Sequence, residues 1–202
     1  DLGIPPLPYS EREAKKIAEL FGAGAVLKTG ADASRTNLRE LGPKSEVIHL
    51  ATHGLIDQDR PMDSSVLLAC STNDDGLFTV RDILKLPPLK ARLITLSACQ
   101  TGRGRITGDG VAGLSRAFLL AGTPSIIVSL WNVDDVMTEF QMSAFYQSFL
   151  SGKDKAVALR EAQLKTVNFM EKDMKFPPAK DGTKIRANPR YWAAFQLIGE
   201  HK

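Results

Sequence analysis

Apolar residues along the chain fall into helical periodicity in some stretches and short unbroken runs in others. Ala14, Ile17, Ala18 and Phe21 recur at helical spacing behind Ser10, and Glu13 three residues after that serine has the spacing of a capping box. The pattern predicts an amphipathic helix ended near Gly22 and Gly24, followed by a short apolar run, Ala25 to Lys28, and a brief helix over Ser34 to Leu41 closed by Gly42-Pro43. Helices are also predicted over Gly110 to Leu120, where Val111, Leu114, Phe118 and Leu119 share a face, over Val136 to Leu150, and over Ala156 to Met170. The unbroken runs are different. Val47 to His53, Ser65 to Cys70, Leu93 to Cys99 and Ser125 to Trp131 are too short for typical helices and rich in strand formers, so they read as strands buried on both faces. Tyr191 to Gly199 reads as a closing strand, and the polar stretch Glu171 to Pro189 as a long exposed loop. Strand alternating with helix predicts parallel pairing with helices on both faces, hence one α/β domain over residues 1–202.

Composition changes this picture little but excludes several classes. With 43% hydrophobic and 24% charged residues the chain is that of a globular protein. Its longest apolar runs fall far short of the ~20 residues a bilayer needs, so no membrane association is expected. The net charge is only +3, and the basic residues are scattered except in the tail from Lys153 to Arg190, so no direct nucleic-acid partner is expected. Cys70 and Cys99 allow at most one disulfide and each lies in an apolar run, which favours a reducing compartment and a cytoplasmic location. The chain begins on Asp1 without a basic and apolar leader, and is read as a piece of a longer multidomain protein.

Ligands of open parallel sheets gather at the carboxyl ends of the strands, and two of the predicted strands end there in reactive side chains. His53 closes one and is followed by Gly54; Cys99 closes another and is followed by Gln100-Thr101-Gly102. If the strands are neighbours, thiol and imidazole form a nucleophile pair, since the thiolate is the attacking species and a nearby imidazole generates it. The competing reading makes each a packed core residue. Cys70, with no histidine beside it in sequence, is assigned to the core. His49 and His53 have a zinc spacing only on a helix; on a strand they lie ~13 Å apart, so no metal is expected. The glycine-rich stretch after Cys99 has three residues between Gly104 and Gly108, departing from G-x-G-x-x-G, and lacks the Lys-Ser/Thr ending of a P-loop. No cofactor is expected.

Ala51-Thr52-His53-Gly54, Leu96 to Gly102, Ala117 to Gly122, Ser129 to Asp135 and Tyr191 to Gly199, in this order and over nearly the whole chain, resemble the CHAT domain of the caspase, separase and gingipain superfamily of cysteine peptidases. The resemblance implies a caspase-like three-layer α/β/α sandwich with a mostly parallel sheet, a His53/Cys99 catalytic dyad, and an oxyanion hole from the Gly54 and Cys99 amides. It implies a protein substrate and fusion to, or association with, tetratricopeptide repeats or another sensor domain. No third residue that orients His53 can be named. Trp131 to Asp135 resembles the separase Leu-Trp-Asp-Val block, which makes Asp135 first and Asp134 second choice for a carboxylate that selects Arg or Lys before the scissile bond. The alternative is that both acids cap the following helix. Gly102 to Gly110 is expected either to gate the site or to serve as a plain connector. The competing function is a catalytically silent caspase-like signalling or scaffold module.

Overall fold

The computed structural model describes residues 4, 7–100, 108–131, 134–173 and 187–202. Its strands are β1 (Val47–Leu55), β2 (Ser65–Leu67), β3 (Leu77–Thr79), β4 (Leu93–Gln100), β5 (Ser125–Ser129) and β6 (Phe195–Gly199). They form one sheet in the order β3-β2-β1-β4-β5-β6. The apolar runs at β1, β4 and β5 pair in parallel, as the alternation with helices requires. The flanking strands β2, β3 and β6 are antiparallel, joined by connections too short for a crossover helix or brought back beside β5 by the chain's end.

The helices are α1 (Ser10–Phe21), α2 (Arg35–Leu41), α3 (Val80–Ile83), α4 (Gly108–Leu120), α5 (Asp135–Leu150), α6 (Lys155–Lys172) and α7 (Pro189–Trp192). Successive strand side chains point to opposite faces, so each central strand feeds two cores. Ile94, Leu96, Ile126 and Val128 pack with Leu114 and Phe118 of α4 and Ile83 of α3. Leu93 and Ile127 pack on the other face with Ile17 of α1, Met142, Phe145 and Phe149 of α5, and Leu159 of α6. The result is the three-layer α/β/α sandwich expected. Helix α5 carries apolar residues on most of its circumference because it packs against the sheet and is flanked by both α1 and α6.

Some local expectations are corrected. Ser10 does not cap α1: the helix begins at Ser10 itself, its hydroxyl donates to Leu7 O at 2.8 Å, and Glu13 turns into the interior. Strand β2 stops at Leu67 because Leu68 N turns to Gly76 O and Ala69 N to Ala33 O; Cys70, assigned to the core, is exposed. The closing strand is shorter than Tyr191 to Gly199, since Asn188 caps a helical turn with Pro189 at its first position. The apolar pattern predicts neither strand β3 nor helix α3, although Thr79 and Asp82 have capping-box spacing and make both reciprocal bonds. Of the loops, residues 174–186 of the Glu171 to Pro189 stretch and residues 101–107 of the glycine-rich stretch lie outside the described residues.

Candidate functional site at the carboxyl edge of the sheet

Strands β1 and β4 pair without interruption from Val47↔Leu93 to Gly54↔Gln100, which sets His53 directly opposite Cys99. Continuous β-branched and leucine-rich runs in both strands make this register: slipping it by one residue would exchange the residues of the two cores. The two positions therefore meet on neighbouring parallel strands, at the edge where such sheets hold ligands. His53 and Gly54 are buried. Thr52, just before them, donates its hydroxyl to Leu67 O and ties this end of β1 to β2. The Cys99 side chain lies outside the described residues.

The third parallel strand, β5, ends at Ser129, and Leu130 N continues to Ala194 O at 2.9 Å. Trp131 donates its indole N–H to Arg190 O at 2.8 Å, which holds the turn of α7 against this junction. Gln141 Nε2 bonds Trp192 O at 3.0 Å from the α5 side. Asp134 is exposed and caps α5, its Oδ1 accepting from Val136 N at 3.0 Å and Met137 N at 3.2 Å. The capping alternative is thus realised for Asp134. Asp135 is the first residue of α5, and its side chain lies outside the described residues.

Sequence reasoning missed a second polar cluster on β1. His49, treated only as half of a zinc spacing, has a side chain 8% exposed and hydrogen-bonded at both nitrogens: Nε2 lies 3.0 Å from Glu13 Oε1 and Nδ1 lies 3.2 Å from Tyr146 Oη. Tyr146 Oη lies 2.8 Å from Thr95 Oγ1. Burial pushes the Tyr146 hydroxyl well above the ordinary tyrosine range, so it stays protonated and able to donate. The available signal was a histidine inside an apolar strand, together with a glutamate four residues before Ile17 on the apolar face of α1. His49 and His53 do lie on one strand, and among the described residues no group of three or more His, Cys, Asp or Glu is placed to hold a metal. No helix among the described residues is long and apolar enough to cross a membrane.

The family model described as the CHAT domain matches residues 1–200. Tetratricopeptide repeat protein 28 of Homo sapiens is 29% identical over 227 residues, an alignment that covers 96% of this chain and 8% of that protein. Tetratricopeptide repeat protein 28 of Mus musculus is likewise 29% identical over 227 residues, covering 96% of this chain and 9% of that protein. The chain spans less than a tenth of the length of these relatives.

Proposed function

The chain belongs to the CHAT domain family, which lies in the caspase-like cysteine peptidase superfamily, and from that premise we propose that it is a cysteine endopeptidase. The observation that carries the reading is the register pair His53↔Cys99 at the carboxyl ends of adjacent parallel strands. His53 takes the thiol proton, and the Cys99 thiolate adds to the peptide carbonyl. The amides of Gly54 and Cys99 hold the resulting oxyanion; a glycine there lets the backbone approach it without a Cβ between. The intermediate collapses to a thioester as the C–N bond breaks and His53 returns its proton to the departing amine. Water then adds to the thioester and regenerates the thiol.

The proposed substrate is a peptide with Arg or Lys before the scissile bond. Its cation would be held by Asp135 ahead of Asp134, because the Asp134 Oδ1 is already engaged with two amides at the start of α5. The domain is proposed to sit in a cytoplasmic protein beside repeat or sensor modules; the names of its relatives, tetratricopeptide repeat proteins, support that arrangement.

Iodoacetamide labelling and turnover of a peptide library provide the test. In a Cys70→Ser background, which removes the exposed thiol, the parent is expected to label at Cys99 near neutral pH and to cleave after Arg or Lys. Cys99→Ala and His53→Ala are each expected to abolish cleavage while circular dichroism stays native, because the two groups act as a unit. Cleavage retained by Cys99→Ala overturns the enzyme. A Cys99 no more reactive than a packed thiol favours the silent signalling module instead.

A further inference from the structure

The three elements that carry the proposed site are joined to one another, and to α1, by a single buried hydrogen-bonded chain one level below it. His49 and Thr95 are a register pair, four residues before the His53↔Cys99 pair on the same two strands. At ~3.3 Å per residue this places the lower pair ~13 Å from the upper one. Tyr146 of α5 bridges the lower pair, 3.2 Å from His49 Nδ1 and 2.8 Å from Thr95 Oγ1. Glu13 of α1 closes the chain 3.0 Å from His49 Nε2. Glu13 is 4% exposed, and Thr95 and Tyr146 are fully buried. One assignment of protons satisfies every member: Thr95 O–H to Tyr146 Oη, Tyr146 O–H to His49 Nδ1, and His49 Nε2–H to the Glu13 carboxylate.

A polar chain of this kind constrains more sharply than the apolar packing around it. Leucine and phenylalanine contacts tolerate small sliding, whereas a buried donor displaced from its acceptor bears the full cost of its desolvation. Each link comes from a different element, so the chain permits one relative placement of α1, β1, β4 and α5. A second tie joins α1 to α5 at the surface: Arg12 lies 2.9 Å from the buried Glu139 carboxylate, and Lys16 pairs with the same group. Those cations are 60% and 46% exposed, so this outer tie is screened by salt while the inner one is not.

We infer that Glu13, His49 and Tyr146 are positioning residues, and that through them the seating of α1 sets the relative placement of His53 on β1, Cys99 on β4 and the start of α5. The inference rests on the dyad reading above. It makes α1 a lever on the site: anything that shifts this helix reaches both strands and α5 together.

The test uses the 202-residue chain carrying Cys70→Ser. Glu13→Gln keeps the shape but removes the carboxylate charge, and Tyr146→Phe removes only the hydroxyl. Ile17→Val, on the same face of α1 but outside the chain, serves as a matched destabilising control. Both network variants are expected to slow iodoacetamide labelling of Cys99 and to lower kcat by about tenfold or more with KM little changed, because small displacements of reacting groups are costly. They are also expected to speed amide exchange at the carboxyl ends of β1 and β4, and Ile17→Val is expected to do none of these things. If Glu13→Gln does not fold, Tyr146→Phe gives the reading alone. Folded network variants with parental exchange at those strand ends overturn the inference, as does an Ile17→Val effect of equal size. Amide exchange separates the two proposals: altered strand-end exchange in a chain whose Cys99 is unreactive even in the parent overturns the dyad and leaves the coupling standing.

Discussion

Asp134 holds two amides of α5 through one carboxylate oxygen, so its loss is read first as stability. Asp134→Ala is expected to lower unfolding free energy by about 1 kcal/mol, the usual cost of a lost N-cap, measured as a lower denaturant midpoint at unchanged slope. Asp82 makes a different statement. Partial burial raises its pKa, but the Thr79 amide and hydroxyl with Arg35 and Arg39 outweigh this and hold the carboxyl below the ordinary aspartate value. A depressed folded pKa stabilises above the unfolded value and is lost as pH falls through the folded one. Stability is therefore expected to decline below about pH 4, and Asp82→Asn to flatten that decline in urea titrations taken from pH 6 to 2. A Glu at the third position after Ser10 looks identical in sequence whether it caps the helix or points inward. Only the buried imidazole of His49, brought to it from β1, decides that it points inward.

Strands β1, β4 and β5 were legible because strands covered by helices carry near-continuous apolar runs and pair in parallel, although β1, expected to be buried on both faces, is only half-buried over most of its length. Short flanking strands leave a weaker trace. Strand β2 is the first half of the apolar run Ser65 to Cys70, whereas the three residues of β3 carry no periodicity to count, and the pairing of the two depends on the turn around Gly76 and on the Arg35 contacts to Asp74 and Asp75. Strand β6 depends on a backbone crossing. Gly199 has φ +99°, and a Cβ there would collide with Pro124 O, the same carbonyl that accepts from Glu200 N at 3.0 Å. Gly199→Ala is expected to destabilise by about 2 kcal/mol or more, seen as a lower thermal midpoint, with β6 amides losing exchange protection ahead of β1 and β4.

The matched relatives are more than ten times the length of this stretch of sequence, and the proposed fusion to repeat or sensor modules carries an expectation at this scale. Peptide turnover by residues 1–202 alone is expected to be weak and to rise when a tetratricopeptide repeat region, of the kind the relatives are named for, is fused to it; full turnover by the domain by itself is the opposing result. The order of apolar runs determined the layered α/β class, the parallel centre and the placement of His53 and Cys99 near strand ends, since strands covered by helices carry apolar runs that helical periodicity cannot produce. The CHAT resemblance lies in these same stretches. What the tertiary structure decided were the relations between residues far apart in the chain: the register that sets His53 opposite Cys99, the antiparallel flanks, the cap made by Asp134, and the meeting of Glu13, His49, Thr95 and Tyr146. A single polar residue in an apolar pattern shows that a partner is required, but the partner is chosen by which elements pack together, and that choice is made by the whole core at once.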